Sequence, residues 1–83
     1  MQVVLLYKYE TRVGVFYIGQ TPDGRYHPIF RDESLGSYAQ AWQAAEDLAG
    51  GHTFSATGVQ DTSTLGIPSE LVEWQQMRSL QRE

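Results

Sequence analysis

The first 31 positions contain three runs rich in Val, Leu, Ile, Phe and Tyr, separated by short polar segments, as is typical of β-strands joined by turns. The pattern predicts three strands, over residues 2–10, 12–20 and 25–31. The second and third are separated by a turn in which Pro22 fixes φ at the first corner and Gly24 suits a left-handed residue. We therefore expect a tight hairpin here and an antiparallel sheet over residues 2–31.

The turns also predict a strand register. Pairing Thr21 with Arg25 across the hairpin places Phe16 opposite Phe30, and Ile18 then lies opposite a proline. This proline, at position 28, cannot donate to a neighbouring strand, so the third strand is expected at an edge. Glycines at positions 14 and 19 indicate a bulge or a close contact in the middle strand.

The first strand is expected to pair Tyr9 with Arg12, which places Leu5 opposite Phe16. Since side chains alternate between the two faces of a sheet, this register predicts one core face. Its members are Val3, Leu5, Tyr7, Phe16, Ile18, Tyr26 and Phe30.

The second half of the chain has helical periodicity. A helix is predicted over residues 37–49, with Ser37 as its N-cap, Gln40 completing a capping box, and Gly50-Gly51 ending it. Its apolar stripe comprises Tyr38, Trp42, Ala45, Leu48 and Ala49. Residues 53–57 are either a loop or a fourth strand beside the first. A second helix is predicted over residues 68–80, beginning at Pro68, with an apolar stripe of Leu71, Trp74, Met77 and Leu80.

These elements predict a single α+β domain over residues 1–83. We expect a three- or four-stranded, mainly antiparallel sheet with two helices packed on it, in the order β-β-β-α-(β)-α.

The second face of the predicted sheet is more apolar than a solvated face requires. It has two alternative explanations: it is a protein interface, or the last helix covers it. If that helix packs on the core face instead, the second face stays free and dimerisation is favoured. The candidate interface residues are Val4, Leu6, Arg12, Val13, Val15, Tyr17, Ile29 and Arg31, with Lys8 also at the rim.

The net charge of −4 is concentrated in the helical half, since acids and bases balance up to Glu33. An acidic helical side with Glu46, Asp47 and Glu70 could bind a basic partner, whereas the acidity disfavours nucleic acid. The chain has no cysteine for a disulfide, and no apolar run reaches the length of a membrane span. Its start reads as a strand and not a signal peptide, so we expect a cytoplasmic protein.

Candidate chemistry is sparse. The two histidines, His27 and His52, fall on separate elements, and a zinc site usually needs three or four ligands. The acidic pairs, at positions 32–33 and 46–47, are expected in solvent, and there is no glycine-flanked serine and no phosphate-binding loop. We therefore expect no catalytic residue, metal or cofactor. A small enzyme or small-ligand binder is the least favoured alternative.

Three antiparallel strands followed by a helix resemble the arm-binding modules of phage integrases, over roughly residues 2–50. The resemblance rests on layout and implies a sheet that lies in the major groove of DNA, with Lys8, Arg12, Arg31, Tyr17 and His27 as the contacting residues. The sequence favours a different function: a small non-enzymatic protein-binding module, acting through the apolar sheet face or the acidic helical side. The chain resembles short bacterial or phage-borne proteins, and its preference for arginine over lysine and its lack of asparagine indicate a GC-rich genome.

Overall fold

A computed structural model describes residues 2–54, 56, 58–59 and 61–77. Within these ranges the chain has an α+β fold, in which one antiparallel sheet with strand order β4-β3-β2-β1-β5 packs against a helix. The strands are β1 (Val4–Thr11), β2 (Gly14–Gln20), β3 (Tyr26–Phe30), β4 (Glu33–Ser34) and β5 (Gln75–Gln76). The helix is α1 (Ala41–Gly50), and two 3-10 turns cover Thr62–Thr64 and Leu71–Glu73.

The hairpin of β2 and β3 has the register predicted from its turn. Phe16 lies opposite Phe30, and their rings stack with centroids 4.4 Å apart. At the turn, the Thr21 N–H donates to the Arg25 carbonyl at 3.0 Å, and Gly24 has φ of 86°. Local turn chemistry is therefore sufficient to set this half of the sheet.

The predicted register of β1 is wrong. Phe16 lies opposite Tyr9 instead of Leu5, because the chain reverses two residues later than predicted, between Thr11 and Gly14. The Thr11 hydroxyl stabilises this turn by donating to the Gly14 carbonyl at 2.8 Å. A β-bulge then shifts the register again between Leu5 and Tyr7.

The hydrophobic core lies between one face of the sheet and α1. The side chains of Phe16, Ile18 and Phe30 pack in one buried cluster with the apolar side of the helix and with apolar residues from the following loops. The other buried members are Leu35, Ala44, Ala45, Leu48, Ala56, Leu65, Ile67 and Trp74. The predicted core residues Tyr7 and Tyr26 are partly buried against this cluster, but Val3 and Leu5 are not part of it.

Helix α1 begins later than predicted, at Ala41, with Gln40 as its N-cap. Residue Tyr38 is not helical because its backbone pairs with Tyr26 through two hydrogen bonds of 2.8 Å. The end is as predicted, since Gly51 is the C-cap with φ of 78°. The prediction that Trp42 faces the core is wrong, because its side chain is 52% exposed.

The predicted second helix is also wrong over its described part. After the 3-10 turn at Leu71–Glu73, Trp74 is extended, and β5 pairs with β1 through Lys8 and Gln75. The indole of Trp74 is 4% exposed, lies 5.9 Å from the Tyr9 ring and donates to the Pro68 carbonyl at 2.9 Å. Burial of this ring and the free edge of β1 together override the helical pattern. Residues 78–80 of the predicted helix lie outside the described residues.

The optional fourth strand at residues 53–57 is not present in its described part, which covers positions 53, 54 and 56. The neighbour of β1 is instead β5, from the end of the described chain. The edge predicted for β3 is covered in part, since β4 pairs with Ile29 and Phe30. The Pro28 carbonyl accepts the Leu35 N–H at 2.7 Å.

The two tryptophans provide a test of this packing. We expect Trp74→Ala to lower the free energy of unfolding by about 3–5 kcal/mol, because it removes a buried aromatic ring. Trp42→Ala serves as the matched control and should change it by less than about 0.5 kcal/mol. Urea unfolding followed by circular dichroism measures both. Equal losses in the two variants would contradict the packing described here.

Candidate functional site

The bulge in β1 moves two apolar residues to the far side of the sheet. On the C-terminal side of the bulge, Tyr7 lies opposite Ile18 on the core face, but on its N-terminal side Leu5 lies opposite Gly19. Because Gly19 follows Ile18 directly, it belongs to the opposite face. The side chains that share this face are here called the open face: Val3, Leu5, Val15, Tyr17 and Ile29.

Because Gly19 has no side chain, neighbouring apolar side chains of the open face can pack over β2 at this position. A Cβ atom at this position would lie 2.6 Å from Val3 Cγ2 and 3.2 Å from Ile29 Cδ1. The missing side chain thus leaves room for Val3 to reach across β2 toward β3. Three strands therefore contribute apolar atoms to one continuous patch.

The burial of Ile29 shows that side chains also pack together on the open face, separately from the core cluster. It is only 4% exposed, yet it is not a member of the core cluster on the other face. Beside it lies a depression of about 560 Å³, lined by Val3, Leu5, Tyr17 and Ile29 and bordered by Arg31 and Asp32. An apolar depression with a charged border is the usual form of a protein-binding surface.

The elements that could have covered this surface lie on the other side of the sheet. Helix α1 packs on the core cluster, and so do Leu65, Ile67, Leu71 and Trp74 from the segments that follow it. Within the described ranges, no second layer of structure packs on the open face. The explanation that the last helix covers it therefore fails for residues up to 77.

The predicted interface residues do not all lie together. Val15, Tyr17 and Ile29 are on the open face. Arg31 borders the depression, but its guanidinium carbon lies 4.8 Å above the Phe30 ring and its Nη2 donates to the Val13 carbonyl at 3.5 Å.

The remaining predicted residues lie elsewhere. Val13 packs against the core cluster, and Val4 lines a separate hollow beside the hairpin turn, together with Gln20 and Pro22. Leu6 lies in the bulge, where its carbonyl accepts the Met77 N–H at 2.8 Å. The remaining candidate, Arg12, donates from Nη1 to the Thr64 carbonyl at 3.0 Å.

Sequence reasoning missed Val3 and Leu5 as members of the surface. The signal that could have found them was Gly19, whose missing side chain indicates a close approach by a neighbouring strand. The charges around the patch are mixed, since Lys8 and Glu10 lie on the same side of β1 as the open face, opposite Tyr17 and Val15. A mixed border suits a protein surface better than a nucleic-acid backbone.

The acidic helical side is only partly free. Glu46 and Glu70 are exposed, but Asp47 accepts a hydrogen bond from the Tyr38 hydroxyl. Burial, and next this bond to Asp47, raise the pKa of Tyr38 to about 12. Asp47 thus serves to hold the segment before α1 against the helix, which leaves two carboxylates for a partner.

The carboxylates of Asp23 and Asp61 each accept hydrogen bonds within a turn. The pKa of Asp23 is lowered first by the Thr21 hydroxyl and then by the Arg25 N–H, and that of Asp61 by the Ser63 hydroxyl and N–H. Among the described residues, no three His, Asp or Glu side chains come close enough to hold a metal ion. No helix in the same part of the chain is long and apolar enough to cross a membrane.

Comparison with protein-family models, with curated proteins and with solved structures gives no match to this chain.

Replacement of Gly19 tests the architecture of the open face. We expect Gly19→Ala to lower the free energy of unfolding by about 1–3 kcal/mol, since the new methyl group would overlap the Val3 side chain. Adding Val3→Ala removes the nearest overlapping atom and should restore part of the loss, which makes the two effects non-additive. Chemical unfolding of the two single variants and the double variant measures this coupling. Purely additive losses would contradict the contact across Gly19.

Proposed function

We propose that this chain is a cytoplasmic, non-enzymatic protein-binding module of bacterial or phage origin, and that it binds through the open face. The observation that supports this most strongly is the second apolar surface around Ile29, which is packed, lies outside the core cluster and has no layer over it within the described residues. Apolar patches of this kind usually mark interaction sites. The cysteine-free composition fits a reducing compartment.

The chemistry of the surface indicates what kind of partner it suits. Val3 and Leu5 line a depression beside the buried Ile29 into which an apolar side chain can insert, and Tyr17 adds a large ring with a polar end. The border carries both signs of charge, so recognition relies on burial more than on electrostatic attraction. Either another protein or a second copy of the chain can meet these demands, and a second copy would do so about a two-fold axis.

Nucleic-acid binding is the second candidate. It is supported by Lys8 and Tyr17, which lie on the same side of the sheet, with Arg31 at the border. It is opposed by Glu10 and Asp32 beside them and by the net charge of −4. The resemblance to integrase arm-binding modules depends on a basic face that includes Arg12. The guanidinium of Arg12 is instead bound to the Thr64 carbonyl.

Val15→Lys tests the proposed function. A lysine on the open face should abolish self-association or binding of the partner, because its charge would have to be desolvated at the interface. Val72→Lys is the matched control, since Val72 is 85% exposed and lies outside the open face. Sedimentation velocity reports self-association, affinity capture with nuclease treatment reports a partner, and circular dichroism verifies that both variants fold.

The proposal predicts that the wild-type chain and the Val72→Lys variant form the same assembly and that Val15→Lys does not. If Val15→Lys unfolds, Tyr17→Lys replaces it. The proposal would be contradicted if the wild-type chain is monomeric and every protein that it captures is also captured by the open-face variants.

A salt titration separates the second candidate from the first. We expect no saturable binding of a fluorescently labelled DNA duplex at about 0.15 M salt. Binding that weakens steeply as salt rises, and that Lys8→Gln reduces, would instead assign the surface to nucleic acid. Fluorescence anisotropy measures both properties.

A further inference from the structure

His27 joins the hairpin turn to the loop that precedes α1. Its Nδ1 lies 2.9 Å from the Gly36 carbonyl and 3.1 Å from the Ser34 hydroxyl. Its Nε2 lies 3.0 Å from the Thr21 hydroxyl. Both ring nitrogens are therefore engaged, one on each side of the imidazole.

The Gly36 carbonyl determines which nitrogen always carries a hydrogen. A carbonyl oxygen can only accept, so Nδ1 must donate to it. The Ser34 hydroxyl also donates to this oxygen, at 2.9 Å, and its own oxygen can accept from Nδ1. Nδ1 is thus protonated whether the ring is neutral or charged, and the change in charge takes place at Nε2.

The Thr21 hydroxyl cannot satisfy both of its close neighbours when His27 is neutral. Its oxygen lies 2.5 Å from Asp23 Oδ1 as well as 3.0 Å from Nε2, and it has one hydrogen to donate. If that hydrogen goes to a neutral Nε2, two oxygens face each other at 2.5 Å with none between them. If Nε2 is protonated, it donates to the Thr21 oxygen, and the Thr21 hydrogen is free for the carboxylate.

We propose that protonation of His27 closes the hairpin turn and that its deprotonation loosens it, so that the ring, Thr21 and Asp23 form a pH-dependent switch. The proton comes from solvent and binds at Nε2. The closed arrangement is the one in the structure, where the Asp23 carboxylate accepts from Thr21 and from the Arg25 N–H at 3.1 Å. On deprotonation, the Thr21 hydroxyl turns to Nε2, and its contact with Asp23 lengthens.

The surrounding charges are compatible with a protonated ring. Asp23 is the negative group on the turn, and its pKa is lowered, so it stays ionised where histidine titrates. Arg25 is the positive group on the same turn, but its guanidinium is held by Ser37, with Nε 2.9 Å from the hydroxyl and Nη2 2.9 Å from the carbonyl. From the neighbouring strands, the residue beside His27 on β2 is Gly19, and its partners from β4 and the following loop are Ser34 and Gly36, all uncharged. The charged residue of β4, Glu33, lies opposite Phe30.

The switch is tested by nuclear magnetic resonance between about pH 5 and 8, where histidines titrate. The proposal predicts that His27 Nε2 and the amide groups of Gly24 and Arg25 shift with one common midpoint. Asp23→Asn and Thr21→Val should each remove the shift of the Arg25 amide. Thr21→Ser is the matched control, because it keeps the hydroxyl and should keep the common midpoint.

His52 provides an internal control, because it is exposed and lies after α1, away from the hairpin turn. Its titration should leave the Gly24 and Arg25 amides unchanged. The amide spectrum outside the turn shows whether each variant folds. The proposal is overturned if these two amides do not follow His27 in the wild-type chain, or if Thr21→Val retains their shift. This test uses no partner, so its outcome is independent of the function proposed for the open face.

Discussion

The β-bulge between Leu5 and Tyr7 determines which face of the sheet each apolar residue of β1 occupies. After the bulge, Tyr7 and Tyr9 point to the core, where Tyr9 meets the Trp74 ring. Before the bulge, Val3 and Leu5 lie with Ile29 on the opposite face. A one-residue slip reverses every side chain of a strand, so this irregularity removes two apolar residues from the core and builds a second apolar surface from them.

The end of the described chain completes the core and covers part of the edge of β1. The Trp74 ring packs beside Tyr9, and its indole N–H donates to the Pro68 carbonyl. The strand that follows covers the edge of β1 at Tyr7 and Lys8. Both contacts lie at the core face or in the plane of the sheet, which explains how the domain can be closed on one side and still present an apolar surface on the other. In a small domain, apolar side chains left out of the core in this way are available for a partner.

Features that depend on neighbouring residues could be predicted from the sequence, and those that depend on distant contacts could not. The turn at Pro22 and Gly24 and the helix end at Gly51 follow from local backbone preferences. The start of α1 was missed because Tyr38 pairs with Tyr26, and the last helix was wrong because Trp74 is buried against Tyr9. That Val15, Tyr17 and Ile29 share one face of the sheet could be predicted, because strand alternation and the β2–β3 turn place them together. Val3 and Leu5 depend on the bulge, which the pattern of β1 does not reveal.

The most direct test of the open face is its accessibility to solvent in the monomer. A soluble paramagnetic relaxation agent broadens the methyl signals that it can approach, and sedimentation verifies that the sample is monomeric. If the surface is open, the methyl groups of Leu5 and Val15 broaden strongly while those of Ile18 and Leu48 in the core stay sharp. If Leu5 and Val15 are protected as well as Ile18, the surface is covered by the chain itself, and the interface assigned to it does not exist.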